Sequence, residues 1–205
     1  MRPVKSDQEA SVMNRRNFIT KSVGYTAGLT LLTVPGILKN LSAAEDDKSK
    51  KEILQELGKK AEMYLPLLMS CSRASFAALN DQFKLKAANV IPALMPFTGG
   101  IAMRAETCGA VTGSILALGF FFESIKQQPG SSMKYSGLFF NRFTKEFTST
   151  TCKTIQKHLY GRSYDFLNPE EQQQYMAVSG ETEKNCTHLV KRAVQIAGDI
   201  ILENS

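Results

Sequence analysis

The stretch CGAVTGSILALGFFFESIK, residues 108–126, constrains the fold of this 205-residue chain more than any other segment. Apolar residues occupy nearly every face of a helix drawn through it, so it predicts a central helix that is buried on most sides. Small residues crowd its first turn, directly after Cys108. They indicate either that two helices pass close together there, or that a group other than protein packs beside the cysteine.

Helical periodicity runs through the chain from Lys48 to the end, with almost no alternation of period two. Apolar stripes predict a first helix from about residue 48 and a last helix over residues 181–203. The segment Asn168-Pro169-Glu170-Glu171 combines a cap, a proline and two acids, which is typical of a helix start. The sequence therefore predicts an all-α fold, a single compact bundle around the 108–126 helix.

Two details of this prediction concern the segment after the central helix. The sequence QQPGSSMKYSG, residues 127–137, predicts a loop because it is rich in glycine, proline and serine. The helix predicted to follow it carries phenylalanines at helical spacing, which we expect to belong to the core rather than to a binding surface. They are Phe139, Phe140, Phe143 and Phe147.

The first 44 residues have the layout of an export signal. Arg15-Arg16 is followed by an apolar stretch over about residues 23–38 and then by Ser42-Ala43-Ala44, small residues of the kind that signal peptidase recognises. The paired arginines before Asn17-Phe18-Ile19 resemble the twin-arginine motif. The apolar stretch is shorter than the ~20 residues of a spanning helix. We therefore expect residues 1–44 to be a twin-arginine signal peptide. The mature domain, residues 45–205, would not span a membrane and would be periplasmic or otherwise extracytoplasmic.

The net charge of +6 is concentrated in the first 44 residues, which hold six Lys/Arg and two Asp/Glu. The remaining residues carry a net charge of only +2. A field this weak does not indicate nucleic acid as a partner.

The chain has four cysteines, each near a predicted helix N-terminus: Cys71, Cys108, Cys152 and Cys186. Unpaired N–H groups and the partial positive charge of a helix start favour thiolate over thiol. Four helix starts in one bundle could bring the cysteines to a single site, where Gly109 and Gly113 would leave room for a cofactor. Structural disulfides or buried free thiols are alternative interpretations of the same cysteine spacing. The sequence contains no C-x-x-C pair, which a zinc ribbon would need, and no C-x-x-C-H motif, which c-type haem attachment would need.

Four segments of the chain carry a resemblance to a known family. In order they are CSRASFAAL, TCGAVTGSILALG, FTKEFTSTTCKTI and NCTHLVKRAVQIAGDIILE. They resemble the C_GCAxxG_C_C family of redox proteins, and residues 108–113 match its Cys-Gly-Ala-x-x-Gly box. That family is similar to the split-Soret cytochromes c, exported haem proteins with an additional iron–sulfur centre. The resemblance implies that the four cysteines ligate an iron–sulfur cluster, most simply [2Fe–2S]. Because this chain lacks a haem attachment motif, cytochrome function is not implied.

The leading hypothesis is an exported redox protein that uses its cluster in electron transfer or redox sensing. It would have a redox partner protein whose identity the sequence does not give, and it could form a homo-oligomer. The alternative is a non-catalytic binding or scaffold protein held by disulfides, which could serve a transporter. The sequence contains no Ser-His-Asp set, phosphate loop or HExxH motif. An electron carrier is therefore favoured over a hydrolase or transferase.

Overall fold

The computed structural model describes residues 35–179 and 185–205, and a compact unit spans residues 42–205. The α-helices of the described residues are α1 (Pro35–Leu68), α2 (Cys71–Phe83), α3 (Gly109–Gly119), α4 (Ser131–Phe147), α5 (Cys152–Tyr160), α6 (Pro169–Ser179) and α7 (Cys186–Glu203). A 3₁₀ helix, Ala88–Phe97, follows α2, and a π-helical turn, Phe120–Ile125, continues α3. Within these two ranges the β-structure is limited to an antiparallel bridge between Thr107 and Thr151. The all-α prediction is confirmed.

Two predictions fall partly on residues outside this description. Residues 1–34 of the predicted signal are not described, and residues 35–44 form the beginning of α1. Residues 181–184 of the predicted last helix are not described, and α7 begins at Cys186. None of the helices in the described part of the chain is long and apolar enough to cross a membrane.

The predicted central helix corresponds to α3, which packs against α2, α4 and α7. Its Val111, Ala117 and Leu118 are completely buried. The α-helical hydrogen bonding ends at Gly119, earlier than predicted, and the wider π-helical turn takes over. The apolar residues on nearly all faces of this segment are thus buried against neighbouring helices on several sides, as its sequence requires.

Helix α4 begins at Ser131, so the prediction of a loop as far as residue 137 is wrong. The carboxylate of Glu123, on the preceding π-helical turn, accepts hydrogen bonds from the N–H groups of Gly130 and Ser132, both at 2.9 Å. These bonds satisfy N–H groups at the start of the helix that the serine-rich segment leaves without intrahelical partners. The residue that caps α4 therefore comes from the element before the predicted loop.

The phenylalanines of α4 are only partly as predicted. Phe139, Phe143 and Phe147 are buried, and their rings lie against one another at centroid distances of 5.6 and 4.8 Å. Phe140 is 40% exposed, so its assignment to the core is wrong. The three buried rings follow the i, i+4 spacing of one helix face, and Phe140 lies one residue off that face.

Close packing of α1 against α7 supports the helix that carries Cys186. A methyl group on Gly198 would lie 2.5 Å from Cδ2 of Leu57, so a larger residue would require the buried Leu57 side chain to move. Lys191 on α7 forms a 2.8 Å ion pair with Glu62 on α1. A half-exposed pair of this kind contributes about 1 kcal/mol, so packing dominates this contact.

Candidate functional site

All four cysteines stand at the first turn of a helix, as the sequence predicts. Cys71, Cys152 and Cys186 are the first residues of α2, α5 and α7, and Cys108 is the N-cap of α3. Polar caps define two of these starts. Ser70 accepts a hydrogen bond from the Arg73 N–H at 3.4 Å, and Asn185 accepts one from the His188 N–H at 3.0 Å.

The four thiols converge on one region of the protein. In each of the six possible pairs, the two thiols are close enough for the charge of one to raise the pKa of the other. All four are free thiols, not members of disulfides. Cys108 is buried and the other three are half-buried. The starts of four helices therefore meet at a single cysteine site.

The antiparallel bridge between Thr107 and Thr151 places the backbone segments of Cys108 and Cys152 side by side. The Cys108 N–H donates to the Thr150 carbonyl at 2.8 Å, and the Cys152 N–H donates to the Glu106 carbonyl at 2.6 Å. Backbone hydrogen bonds thus hold the start of α3 against the start of α5.

The loop before Cys108 has an unusual left-handed backbone. Its non-glycine residues with positive φ are Ile101, Ala102, Met103 and Ala105, at 49–62°. Each such residue costs roughly 1–2 kcal/mol. Hydrogen bonds from the N–H groups of Ala105 and Glu106 to the carbonyls of Gly99 and Gly100 close the loop, at 3.0 and 2.9 Å. Backbone strain of this kind is often found at functional sites.

Gly100 brings this loop against the site. Its φ is +74°, and a Cβ added to it would lie 2.7 Å from the Cβ of Cys152 and 2.8 Å from the Glu106 nitrogen. Glycine is therefore required here both by the backbone conformation and by the close contact.

Gly109 and Gly113 explain the small residues at the start of the central helix. A Cβ on Gly113 would lie 2.3 Å from the Ser72 carbonyl oxygen. One on Gly109 would lie 2.9 Å from the Ser72 nitrogen and 3.2 Å from the Cβ of Cys71. The glycines let α3 lie directly on the first turn of α2, which brings Cys71 beside Cys108. Close helix passage is thus established, and contact of Gly109 and Gly113 with a cofactor stays a prediction.

The protonation of the cysteines differs from the expectation for helix starts. Burial, and then the charges of the neighbouring thiolates, raise the pKa of Cys71 and of Cys108 far above its usual range. Burial raises the pKa of Cys152 to about 11. The expectation of thiolates is therefore wrong for these three cysteines in the metal-free protein. Burial and mutual repulsion outweigh the attraction of the helix N-termini.

Sequence reasoning missed Gln156, which lies one helical turn after Cys152 on α5. The side chain is buried, its Nε2 donates to the Cys152 Sγ at 3.3 Å, and its Oε1 accepts from the Tyr164 N–H at 2.8 Å. The bond to sulfur lowers the pKa of Cys152, by less than burial raises it. The i, i+4 spacing from Cys152 was the one signal in the sequence.

Two tyrosines next to Cys186 were also missed. The Tyr160 hydroxyl oxygen accepts a hydrogen bond from the Cys186 N–H at 3.0 Å. The Tyr175 ring stands perpendicular to the Tyr160 ring at a centroid distance of 5.6 Å. Burial, and then the charge of Cys186, raise the pKa of both hydroxyls well above the usual range. No sequence pattern links these tyrosines to Cys186, because Tyr160, Tyr175 and Cys186 lie on three different helices.

The donor set of the site suits an iron–sulfur cluster. Four cysteine sulfurs are a full ligand set for one cluster, and here all four are free to ligate. Within residues 35–179 and 185–205, no three His, Cys, Asp or Glu side chains are arranged around a point as ligands of a single metal ion. The ligands of a cluster stand farther apart than those of a single ion. The four cysteines thus match the ligand set of a cluster in number and in donor chemistry.

Comparison with known proteins assigns the chain to a family. There is no significant match among curated proteins or among solved structures. The family described as "Putative redox-active protein (C_GCAxxG_C_C)" matches residues 69–200, a range that contains all four cysteines and the Cys-Gly-Ala-x-x-Gly box. The chain therefore belongs to the C_GCAxxG_C_C family.

Proposed function

We propose that this protein is an exported redox protein that binds an iron–sulfur cluster, [2Fe–2S], and acts in electron transfer or redox sensing. The cluster ligands are Cys71, Cys108, Cys152 and Cys186. One observation carries the proposal: four free thiols from four separate helices converge on one site. Membership of a redox-active family supports the redox role.

The electrostatics of the site support a cationic occupant. Burial raises the pKa values of Cys71, Cys108 and Cys152, and repulsion between the thiolates raises them further. Bound iron would neutralise that repulsion. Because the thiols must lose their protons to ligate, iron binding releases protons and becomes tighter as the pH rises.

The hydrogen bond from Gln156 to the Cys152 sulfur supports a redox role in particular. Hydrogen bonds to ligand sulfurs are one of the means by which a protein sets the reduction potential of a cluster. Gln156 is buried, and both ends of its amide are hydrogen-bonded, so its orientation toward Cys152 is well defined.

Export is supported by the sequence pattern of residues 1–44. The twin-arginine route carries folded proteins, often after a cofactor has been inserted. A protein that acquires its cluster in the cytoplasm has a physical reason to use that route.

The proposal is tested by purifying the full chain without air and measuring visible absorption, iron and acid-labile sulfide. We expect a brown-red protein with iron and sulfide in equal amounts. Changing any one of the four cysteines to serine should weaken or abolish the absorption. Thr187→Ser, one residue after Cys186, is the matched control and should leave the spectrum unchanged. A colourless protein with two disulfides found by mass spectrometry would refute the proposal and support the disulfide-held scaffold.

A further inference from the structure

We propose that Tyr160 is the positioning residue of Cys186, through the hydrogen bond that its hydroxyl oxygen accepts from the Cys186 N–H. The effect on a cluster rests on the proposed function, whereas the hydrogen bond itself does not. Tyr160 would set where the Cys186 sulfur stands relative to the other three sulfurs.

The argument begins with the N–H groups at the helix starts, which have no partner within their own helix. At Cys108 and Cys152 these groups donate to backbone carbonyls across the Thr107–Thr151 bridge, at 2.8 and 2.6 Å. Both cysteines are therefore held by main-chain bonds, which do not depend on the identity of any side chain.

Cys186 is held differently. Its N–H donates to the hydroxyl oxygen of Tyr160 at 3.0 Å. Tyr160 is the last residue of α5, the helix that begins at Cys152. Long helical side chains point back toward the N-terminus of their helix, so the Tyr160 ring is directed toward the cysteine end of α5. One short helix thus supplies one cysteine and the anchor of another.

The Tyr160 ring is itself fixed by aromatic neighbours. It packs edge-on against Tyr175 at 5.6 Å and against Tyr164 at 6.3 Å between ring centroids. Tyr175 also packs against Phe166 at 4.9 Å. Because these contacts involve the rings, removing the Tyr160 hydroxyl leaves the ring in place. Tyr160→Phe therefore removes the hydrogen bond with little change in packing.

The chain offers a matched control in Tyr164. Its ring belongs to the same cluster and is 6% exposed. Among the described residues its side-chain hydroxyl makes no hydrogen bond; its backbone N–H donates to Gln156. Tyr164→Phe thus makes the same chemical change in the same surroundings, without removing a bond to Cys186.

The first test measures amide hydrogen exchange in the metal-free full chain. In Tyr160→Phe we expect the Cys186 amide to exchange about fivefold faster, the factor for loss of one ordinary hydrogen bond. Exchange at Val190 and Ala193, buried on the same helix, should stay unchanged. Tyr164→Phe should alter none of the three. An unchanged Cys186 rate, an equal effect of Tyr164→Phe, or a uniform acceleration along α7 would overturn the inference.

The second test uses the iron-loaded full chain. Tyr160→Phe should shift the reduction potential and speed the release of iron to a chelator, while Tyr164→Phe leaves both at the wild-type values. Unchanged potential and release in Tyr160→Phe would overturn the inference. If no variant, including the wild type, binds iron, the proposed function fails, and the exchange test still decides whether Tyr160 holds Cys186.

Discussion

Replacement of Gly113 by alanine tests the contact on which the cysteine site is built. The new Cβ would lie 2.3 Å from the Ser72 carbonyl oxygen, whereas ordinary contacts begin near 3.4 Å. Because the obstructing atom belongs to the backbone, no side-chain rotation can relieve the clash. Helices α2 and α3 must move apart by about 1 Å, and Cys71 and Cys108 must separate with them.

The magnitude follows from two opposing effects. Overpacking of a buried position costs typically 1–3 kcal/mol, and a backbone clash of this size belongs at the upper end, about 3 kcal/mol. Alanine is favoured over glycine inside a helix by about 1 kcal/mol. The net loss should be about 2 kcal/mol, which for a domain of this size lowers Tm by about 4–8 °C.

Gly137 provides the control, because it lies within α4, is exposed, and has open space where a Cβ would stand. Gly137→Ala gains the same helix propensity without a clash, so it should raise stability by up to about 1 kcal/mol. Thermal and urea unfolding followed by circular dichroism measure both variants. A Gly113→Ala protein as stable as Gly137→Ala would refute the close approach of α2 and α3.

Three further predictions concern the site, its protonation and export. Gly100→Ala should displace Cys152 and reduce the visible absorption of the iron-loaded protein. Gly130→Ala, also at positive φ but in open space, should leave the absorption unchanged. Equal spectra of the two variants would contradict the contact between Gly100 and Cys152. The pKa of Cys152 is about 11 in the folded protein, against 9.0 for an ordinary thiol, so the folded state binds this proton more tightly. Stability of the metal-free protein should therefore hold below pH 9 and fall as the pH rises through 11, and a urea midpoint that is flat or rises over this range would refute the assignment. Changing both Arg15 and Arg16 to Lys should leave the protein in the cytoplasm with its N-terminus intact, and cell fractionation that finds normal export would rule out the twin-arginine signal.

The all-α class and the location of the cysteines could be predicted because both depend on neighbours in sequence. Three local patterns carry the prediction of the fold: apolar residues on nearly all faces of α3, the Asn168 cap and proline at the start of α6, and the lack of alternating apolar residues typical of strands. A helix start near each cysteine is likewise a property of a few adjacent residues. Family membership follows from the same short segments.

The site itself was decided by contacts between residues far apart in the chain. Three contacts depend on how the helices pack: Gly113 lies against the Ser72 carbonyl, Glu123 caps α4, and the Tyr160 hydroxyl accepts a hydrogen bond from the Cys186 N–H. The sign of the cysteine pKa shifts was decided in the same way. A helix N-terminus favours thiolate through local dipoles, whereas burial and the repulsion of thiolates from other helices exist only after folding. Periodicity along one helix determines which face is apolar, but the atoms opposite that face come from elsewhere in the chain.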